Sequence, residues 1–325
     1  MPASRSARRG VAALLALVGA LALRPAPARA WDGIGHMTIA AIAWDRLSPA
    51  TRRRVVALLR AAPADAGLTQ LRPSTRAPDA NDRILFLRAA TWADLVRDRA
   101  APEGMRRQDR PRWHYRDVYW RADSGGRPVA VTGLPVGDPG VAERIGELTR
   151  TLGDASRAPA ERGIALAWLL HLVGDVHQPL HAGSRVTPAT PRGDRGGNEV
   201  RLGRTNVHAL WDDALDRSPA RRPGESGGRS LGDEAQRARA DGWAARLQRT
   251  FPAAGFRAAL ADTVPTRWAD AGLALAQRHA YGPDVVDGGP IPVGYRERLR
   301  KVSEPQVALA GSQIWHGLHL MSVFL

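Results

Sequence analysis

The chain has no cysteine and a single lysine, Lys301, among its 325 residues. Without thiols it can form neither disulfides nor thiolate metal sites, so any zinc must be held by histidine, carboxylate or main-chain groups. Phenylalanine and tyrosine are scarce too, at four each, so the ten tryptophans carry most of the aromatic bulk. Acids are outnumbered, 32 against 47 basic residues, and nearly all the positive charge is arginine. A bias toward arginine can simply reflect a GC-rich genome, but the resulting field attracts polyanions, nucleic acid included. The longest apolar run, Val11 to Leu23, is 13 residues long, short for a bilayer span.

That run belongs to a leader-like segment. Arg5, Arg8 and Arg9 precede it, and Ala28-Arg29-Ala30 has the small-x-small form of a cleavage site. The expectation is a secretory signal over residues 1–30 and one domain over 31–325, exported to the periplasm or the medium. A retained anchor and a twin-arginine reading of Arg8-Arg9 are the competing views. Cleavage would remove five arginines and no acids, taking the formal charge from +15 to +10.

Beyond the leader the pattern is nearly all α. Helices are expected from Met37 to Leu47, about Thr51 to Ala62 behind the Ser48-Pro49 cap, Asp82 to about Arg99, and over 140–153, 160–178 and 208–215. More follow at 233–250, 256–280 and 291–322. Residues 121–139 read as irregular, 183–198 and 217–232 as polar loops, and 198–206 as a short β-hairpin around Gly203. There is no internal repeat.

Chemistry concentrates in His171-Leu-Val-Gly-Asp175-Val-His177-Gln-Pro179-Leu-His181. Four residues apart on a helix, His171 and Asp175 share one face. A buried His–Asp hydrogen bond would explain one such pair as well as a metal would. A second pair with the same spacing, His208 and Asp212, favours metal. Pro179 should bend the chain, turning His181 back toward the first site or toward a second ion beside it. With His36, Asp94 and His114, the candidate ligands number eight, more than one tetrahedral zinc needs, and sharing among two or three ions is the economical explanation. His177 is better read as a core or supporting hydrogen-bonding residue, and His279, His316 and His319 as packing or solvated positions.

In order along the chain stand Trp31…Gly35-His36, Thr91-Trp-Ala-Asp94, His114-Tyr-x-Asp117, the His171-to-Gly183 stretch, Gly196-Gly-Asn198 and Asn206-Val-His208-x-x-Trp211-Asp212. This ordered set resembles the S1/P1 nucleases, secreted zinc enzymes related in fold to zinc-dependent phospholipase C. The resemblance implies a mainly helical domain around three zinc ions. It implies Asp94, His114, His171 and Asp175 at the first, and His181, His208 and Asp212 at the second. At the third it implies His36, a bridging Asp175, and the α-amino and carbonyl groups of Trp31. Only a chain cut before Trp31 has that free amine, so the uncut precursor should have a damaged third site. The activity implied is zinc-dependent cleavage of single-stranded DNA and RNA to 5′-phosphorylated products, by a monomer without stable membrane association. Some members also remove 3′-phosphates from nucleotides.

Arg97 then matches an arginine near the scissile phosphate, Tyr115 a position that stacks a base, and Asp117 one that bonds a base edge. Asn198 could offer its amide near the metals or serve the turn. The plainer readings are a solvated Arg97 and a core-packed Tyr115. Gln313, where the family usually has arginine, and the residues around Trp315 and Trp268 depart from the pattern. A zinc phospholipase C is the alternative enzyme, disfavoured by Asp212 where that group has glutamate and by Tyr115-x-Asp117. A non-catalytic polyanion-binding metalloprotein is the alternative outside enzymes.

Overall fold

The computed structural model describes residues 31–74, 76–137, 139–215 and 233–322. The leader, the 217–232 loop and the last three residues lie outside the described residues.

The architecture is helical, as expected, with two small sheets. Helix α1 (Gly33–Arg46) starts on Asp32, whose carboxylate accepts the Gly35 N–H at 2.8 Å. Helix α2 (Pro49–Ala61) starts on Ser48, whose hydroxyl accepts the Thr51 N–H, with Pro49 in the first turn where its missing N–H costs nothing. The expected 82–99 helix is two pieces, α3 (Pro78–Ala89) and the single turn α4 (Trp92–Leu95). The break falls at Thr91, whose hydroxyl bonds back to the Arg88 carbonyl at 2.8 Å. A short turn, α5 (Glu103–Arg106), precedes the 3₁₀ turn Pro111–His114.

Residues 121–139, expected to be irregular, contain a hairpin. Strands β1 (Tyr119–Ala122) and β2 (Pro128–Ala130) pair antiparallel, with Trp120 opposite Ala130. Asp123 closes the turn by accepting the N–H groups of Gly125 and Arg127. Asp-Ser-Gly-Gly was the available signal, a turn sequence between two β-prone runs.

Helices α6 (Val141–Gly153) and α7 (Pro159–Val176) pack side by side, and α7 also lies on α2. A 3₁₀ turn, Pro179–Ala182, follows the bend at Pro179 and leads into β3 (Ser184–Arg185), which joins β1 in parallel. The expected hairpin at 198–206 is present as β4 (Arg201–Leu202) and β5 (Thr205–Asn206). It feeds α8 (Val207–Asp212), capped by the Asn206 side chain on the Ala209 N–H.

Helix α9 (Asp233–Thr250) matches expectation; the 256–280 helix divides at Asp262–Pro265 into α10 (Arg257–Ala261) and α11 (Pro265–His279). Helix α12 (Tyr295–Leu320) runs along α1. They meet where Gly311 has no side chain: a Cβ there would stand 2.8 Å from the Ile39 carbonyl and 2.7 Å from Ile42 Cβ. The Tyr295 hydroxyl accepts the Trp211 indole N–H and donates to the Ala280 carbonyl, joining α8 to the C-terminal helix. The late helices therefore brace the early ones. Among the described residues, no helix is long and apolar enough to cross a membrane.

Candidate metal centre

Two helices bring their His/Asp pairs inward by the same i, i+4 geometry: His171 and Asp175 on α7, His208 and Asp212 on α8. His36 comes from α1, Asp94 from α4, His114 from the end of the Pro111–His114 turn, and His181 from the turn after Pro179. All eight side chains are buried. They converge as three groups whose ligand atoms lie within 4.8 Å of one another: His36, His171 and Asp175; Asp94, His114 and His171; His181, His208 and Asp212. The bend at Pro179 thus sends His181 to the second pair rather than back to the first.

Asp175 is the hub. Its Oδ2 lies 2.9 Å from His114 Nδ1 and 3.3 Å from His171 Nε2, while its Oδ1 lies 3.4 Å from His36 Nε2. One carboxylate thereby touches the residues of two neighbouring groups, as a bridging ligand must. The rings of His36 and His171 stack with centroids 3.9 Å apart.

Outer contacts aim the imidazoles. His171 Nδ1 donates to the Ala90 carbonyl at 2.8 Å, His181 Nδ1 to His114 O at 2.5 Å, and His208 Nδ1 to Gly196 O at 2.8 Å. In the neutral rings these bonds place the proton on Nδ1 and turn the Nε2 lone pair inward. His181 Nε2 and His208 Nε2 then face each other at 3.2 Å. Two lone pairs at that distance repel unless a cation sits against both, so the donor set fits a divalent metal. Zinc takes this mixture of imidazole and carboxylate. Elsewhere in the centre, His114 Nε2 and both ring nitrogens of His36 are buried without a hydrogen-bond partner.

For His36, His114 and His181 the electrostatics agree; for His171 and Asp212 they favour the protonated form, and a bound metal would have to displace those protons. Burial, and then the neighbouring His171, push His36 down to about 4, leaving it neutral and able to donate a lone pair. Burial also lowers His114 and His181. His171 rises to about 9: burial opposes its charge, but the Asp175 carboxylate outweighs that. Burial likewise opposes the charge on Asp175, yet His171, His114 and His36 hold it well below the usual carboxylate range. Burial pushes Asp212 well above that range, an effect a bound cation would reverse.

One contributor escaped the sequence reading. Gln178 is fully buried; its amide donates to Asp212 Oδ1 at 2.7 Å, and its carbonyl accepts the Leu180 N–H at 2.6 Å. It thus fixes both Asp212 and the turn that carries His181. Its position between two candidate ligands was the only sequence signal. Gly196, in the left-handed region at φ 63°, is needed because a Cβ there would stand 2.3 Å from Leu180 O. His177 is buried and donates Nδ1–H to the Val173 carbonyl, a core hydrogen bond as expected. His316 and His319 lie beside Trp315 and belong to none of the three groups.

Trp31 is fully buried, and its indole N–H donates to Gly174 O at 2.9 Å, one residue before Asp175. The next residue, Asp32, donates its main-chain N–H to Asp212 O at 3.1 Å. The start of the domain is therefore tied to both metal-type pairs. Trp168 lies against His114, with ring centroids 5.6 Å apart, and Trp92 and Trp113 pack on Trp168.

Around the cluster, Arg97 Nη1 lies 4.0 Å from Asp94 Oδ1 and its Nε lies 3.8 Å from Asp109. Its side chain is mostly buried, so it is not a solvated surface arginine. Tyr115 is half-buried beside His114. Asp117 accepts from Arg112 at 2.6 Å. The Asn198 amide donates to Arg195 O at 2.8 Å, which serves the turn rather than the cluster.

The comparisons with known proteins point the same way. Two Arabidopsis thaliana proteins, Endonuclease 3 and Endonuclease 4, are 42% and 40% identical to this chain over 55 residues. That segment is 16% of this chain and 16% of each plant protein. The S1/P1 Nuclease family model matches residues 31–319, nearly the whole of the chain after the leader-like segment. The chain belongs to the S1/P1 nuclease family.

Proposed function

We propose that this protein is an exported, monomeric, zinc-dependent phosphodiesterase. It cleaves single-stranded DNA and RNA to 5′-phosphorylated products and removes 3′-phosphates from nucleotides. The observation that carries the reading is the convergence of three buried His/Asp groups through shared residues, with inward-facing Nε2 lone pairs. Family membership supports hydrolytic nuclease chemistry.

Asp94, His114, His171 and Asp175 would hold the first zinc, and His181, His208 and Asp212 the second. His36, Asp175 and the α-amino and carbonyl groups of Trp31 would hold the third. Zinc, when bound, supplies Lewis acidity toward phosphate oxygens and acidifies coordinated water. The second set has three protein ligands, one fewer than a closed structural site. The chain's own residues do the rest. Arg97, held near Asp94 and Asp109, presents a guanidinium to the charge that develops on phosphate. Tyr115 offers a sequence-tolerant stacking face, which favours unpaired strands whose bases can splay out. Asp117 accepts a donor from the base edge. Asn198, already spent on the turn, contributes through the shape of the Gly196-Gly197 loop.

The reading includes a mature chain starting at Trp31, whose liberated amine completes the third site, and no stable membrane association. The test is a substrate panel for the mature protein: single- and double-stranded DNA, RNA, and a phosphatidylcholine, with chelator and with zinc restored. Zinc-restored cleavage of single strands to 5′-phosphate ends is the expected result. Cleavage of the lipid alone would overturn the base-site argument, and no turnover with zinc bound would overturn the enzymatic reading.

A further inference from the structure

We propose that Arg112 is a positioning residue that decides which base edges Asp117 accepts. The inference rests on the reading of Tyr115 and Asp117 as the base site.

Arg112 lies in the Pro111–His114 turn, two residues before His114 and three before Tyr115. Its Nη2 donates to Asp117 Oδ2 at 2.6 Å, and of the two side chains the acid is the more buried, 19% exposed against 45%. The guanidinium also rests on bare main chain. A Cβ at Gly137 would lie only 1.4 Å from Arg112 Nη2, so the arginine occupies the space a side chain there would take. The segment carrying Gly137 is tied to β1, because the Tyr119 hydroxyl donates to Pro135 O at 3.2 Å. The carboxylate is thus clamped by a cation that is itself seated on a loop.

The clamp has a chemical consequence. A carboxylate only accepts hydrogen bonds, and with both oxygens open it pairs with two adjacent donors. Guanine presents such a pair, its ring N1–H and its 2-amino group. The Arg112 guanidinium takes one lone pair of Oδ2 and crowds that oxygen, so Asp117 offers chiefly Oδ1, which suits one amino donor. Adenine and cytosine present one. Uracil and thymine present a ring N–H flanked by two carbonyl oxygens, which would face the carboxylate. The clamped site therefore favours adenine and cytosine and denies guanine its second bond.

The experiment measures kcat and KM for four homodinucleotides differing only in the base. It compares wild type with Arg112→Ala, Arg112→Lys, Gly137→Val and Asp117→Asn, and records zinc content for each. Freeing Oδ2 should raise the guanine-to-adenine ratio of kcat/KM about tenfold in Arg112→Ala, through KM, with zinc content retained. Gly137→Val keeps both charges but displaces the guanidinium, and should move the ratio the same way. Arg112→Lys should fall between. Arg110→Ala is the control: that arginine, in the residue just before the turn, bonds main-chain carbonyls of Arg107 and Asp109, and its loss should leave the ranking as in wild type. If Asp117→Asn changes the base ranking while Arg112→Ala and Gly137→Val do not, the proposal is overturned and the base site stands. If none of the three changes it, the base-site reading falls as well.

Discussion

At the scale of single residues, the centre depends on groups that hold ligands as much as on the ligands. Gln178 is the clearest case, since its side chain touches both Asp212 and the His181 turn. Gln178→Ala should weaken zinc binding at the second site, or activity, about 10- to 100-fold, as loss of an outer partner of a metal ligand does. A zinc titration against a competing chelator measures it; wild-type affinity would contradict the role. His177 makes a prediction about pH. Burial pushes it down to about 4, whereas in the unfolded chain it titrates near 6.5. Between those values the unfolded state binds a proton that the native state refuses. His177 therefore subtracts stability as pH falls through that window, by up to roughly 3 kcal/mol. Replacing it by glutamine should flatten the decline in urea midpoint between about pH 7 and about pH 5. Parallel declines in the two proteins would contradict this. The sequence showed His171/Asp175 and His208/Asp212, because imidazole and carboxylate at i, i+4 spacing are visible in one dimension; His181 followed from the bend at Pro179, and His36, Asp94 and His114 from the ordered motifs of the family resemblance. It could not show Gln178, or that Arg112 engages Asp117, because an amide or a guanidinium takes its role from whatever folds beside it.

At the scale of elements, the helices that carry the ligands were legible and their ends less so. The 3.6-residue apolar pattern continues through Ala90 and Thr91, and the chain breaks there because the Thr91 hydroxyl satisfies a carbonyl locally. The β1–β2 hairpin was missed for a related reason: its exposed second strand has little period-two burial to betray it. Bracing by the C-terminal helix was invisible in sequence, since it depends on close approach at one glycine. Gly311→Ala should force α12 away from α1, costing about 1–3 kcal/mol and lowering the melting temperature by several degrees while zinc content is retained. An unchanged melting temperature would show that the two helices can part at no cost.

At the scale of the whole molecule, a chain without disulfides draws its three buried donor groups from positions 36 to 212, so bound metal would cross-link most of the fold. The arginine excess is partly consumed by ion pairs such as Arg83–Asp241, Arg246–Glu304 and Arg298–Asp284, yet the formal +10 of a chain starting at Trp31 leaves a field suited to polyanionic substrates. Processing enters at this scale. Trp31 is anchored on Gly174, and Asp32 on Asp212, so the residue that cleavage would expose lies beside the metal-type cluster. A chain that keeps the residues before Trp31 should bind less zinc and cleave more slowly than one starting there; equal zinc content and activity would contradict that. The most direct test of the central claim, that these three groups are a metal centre, is a zinc count. Elemental analysis of the protein starting at Trp31 should give three zinc ions per chain, falling to two in His208→Ala. One zinc or none in the wild type, or the same count in both proteins, would contradict it.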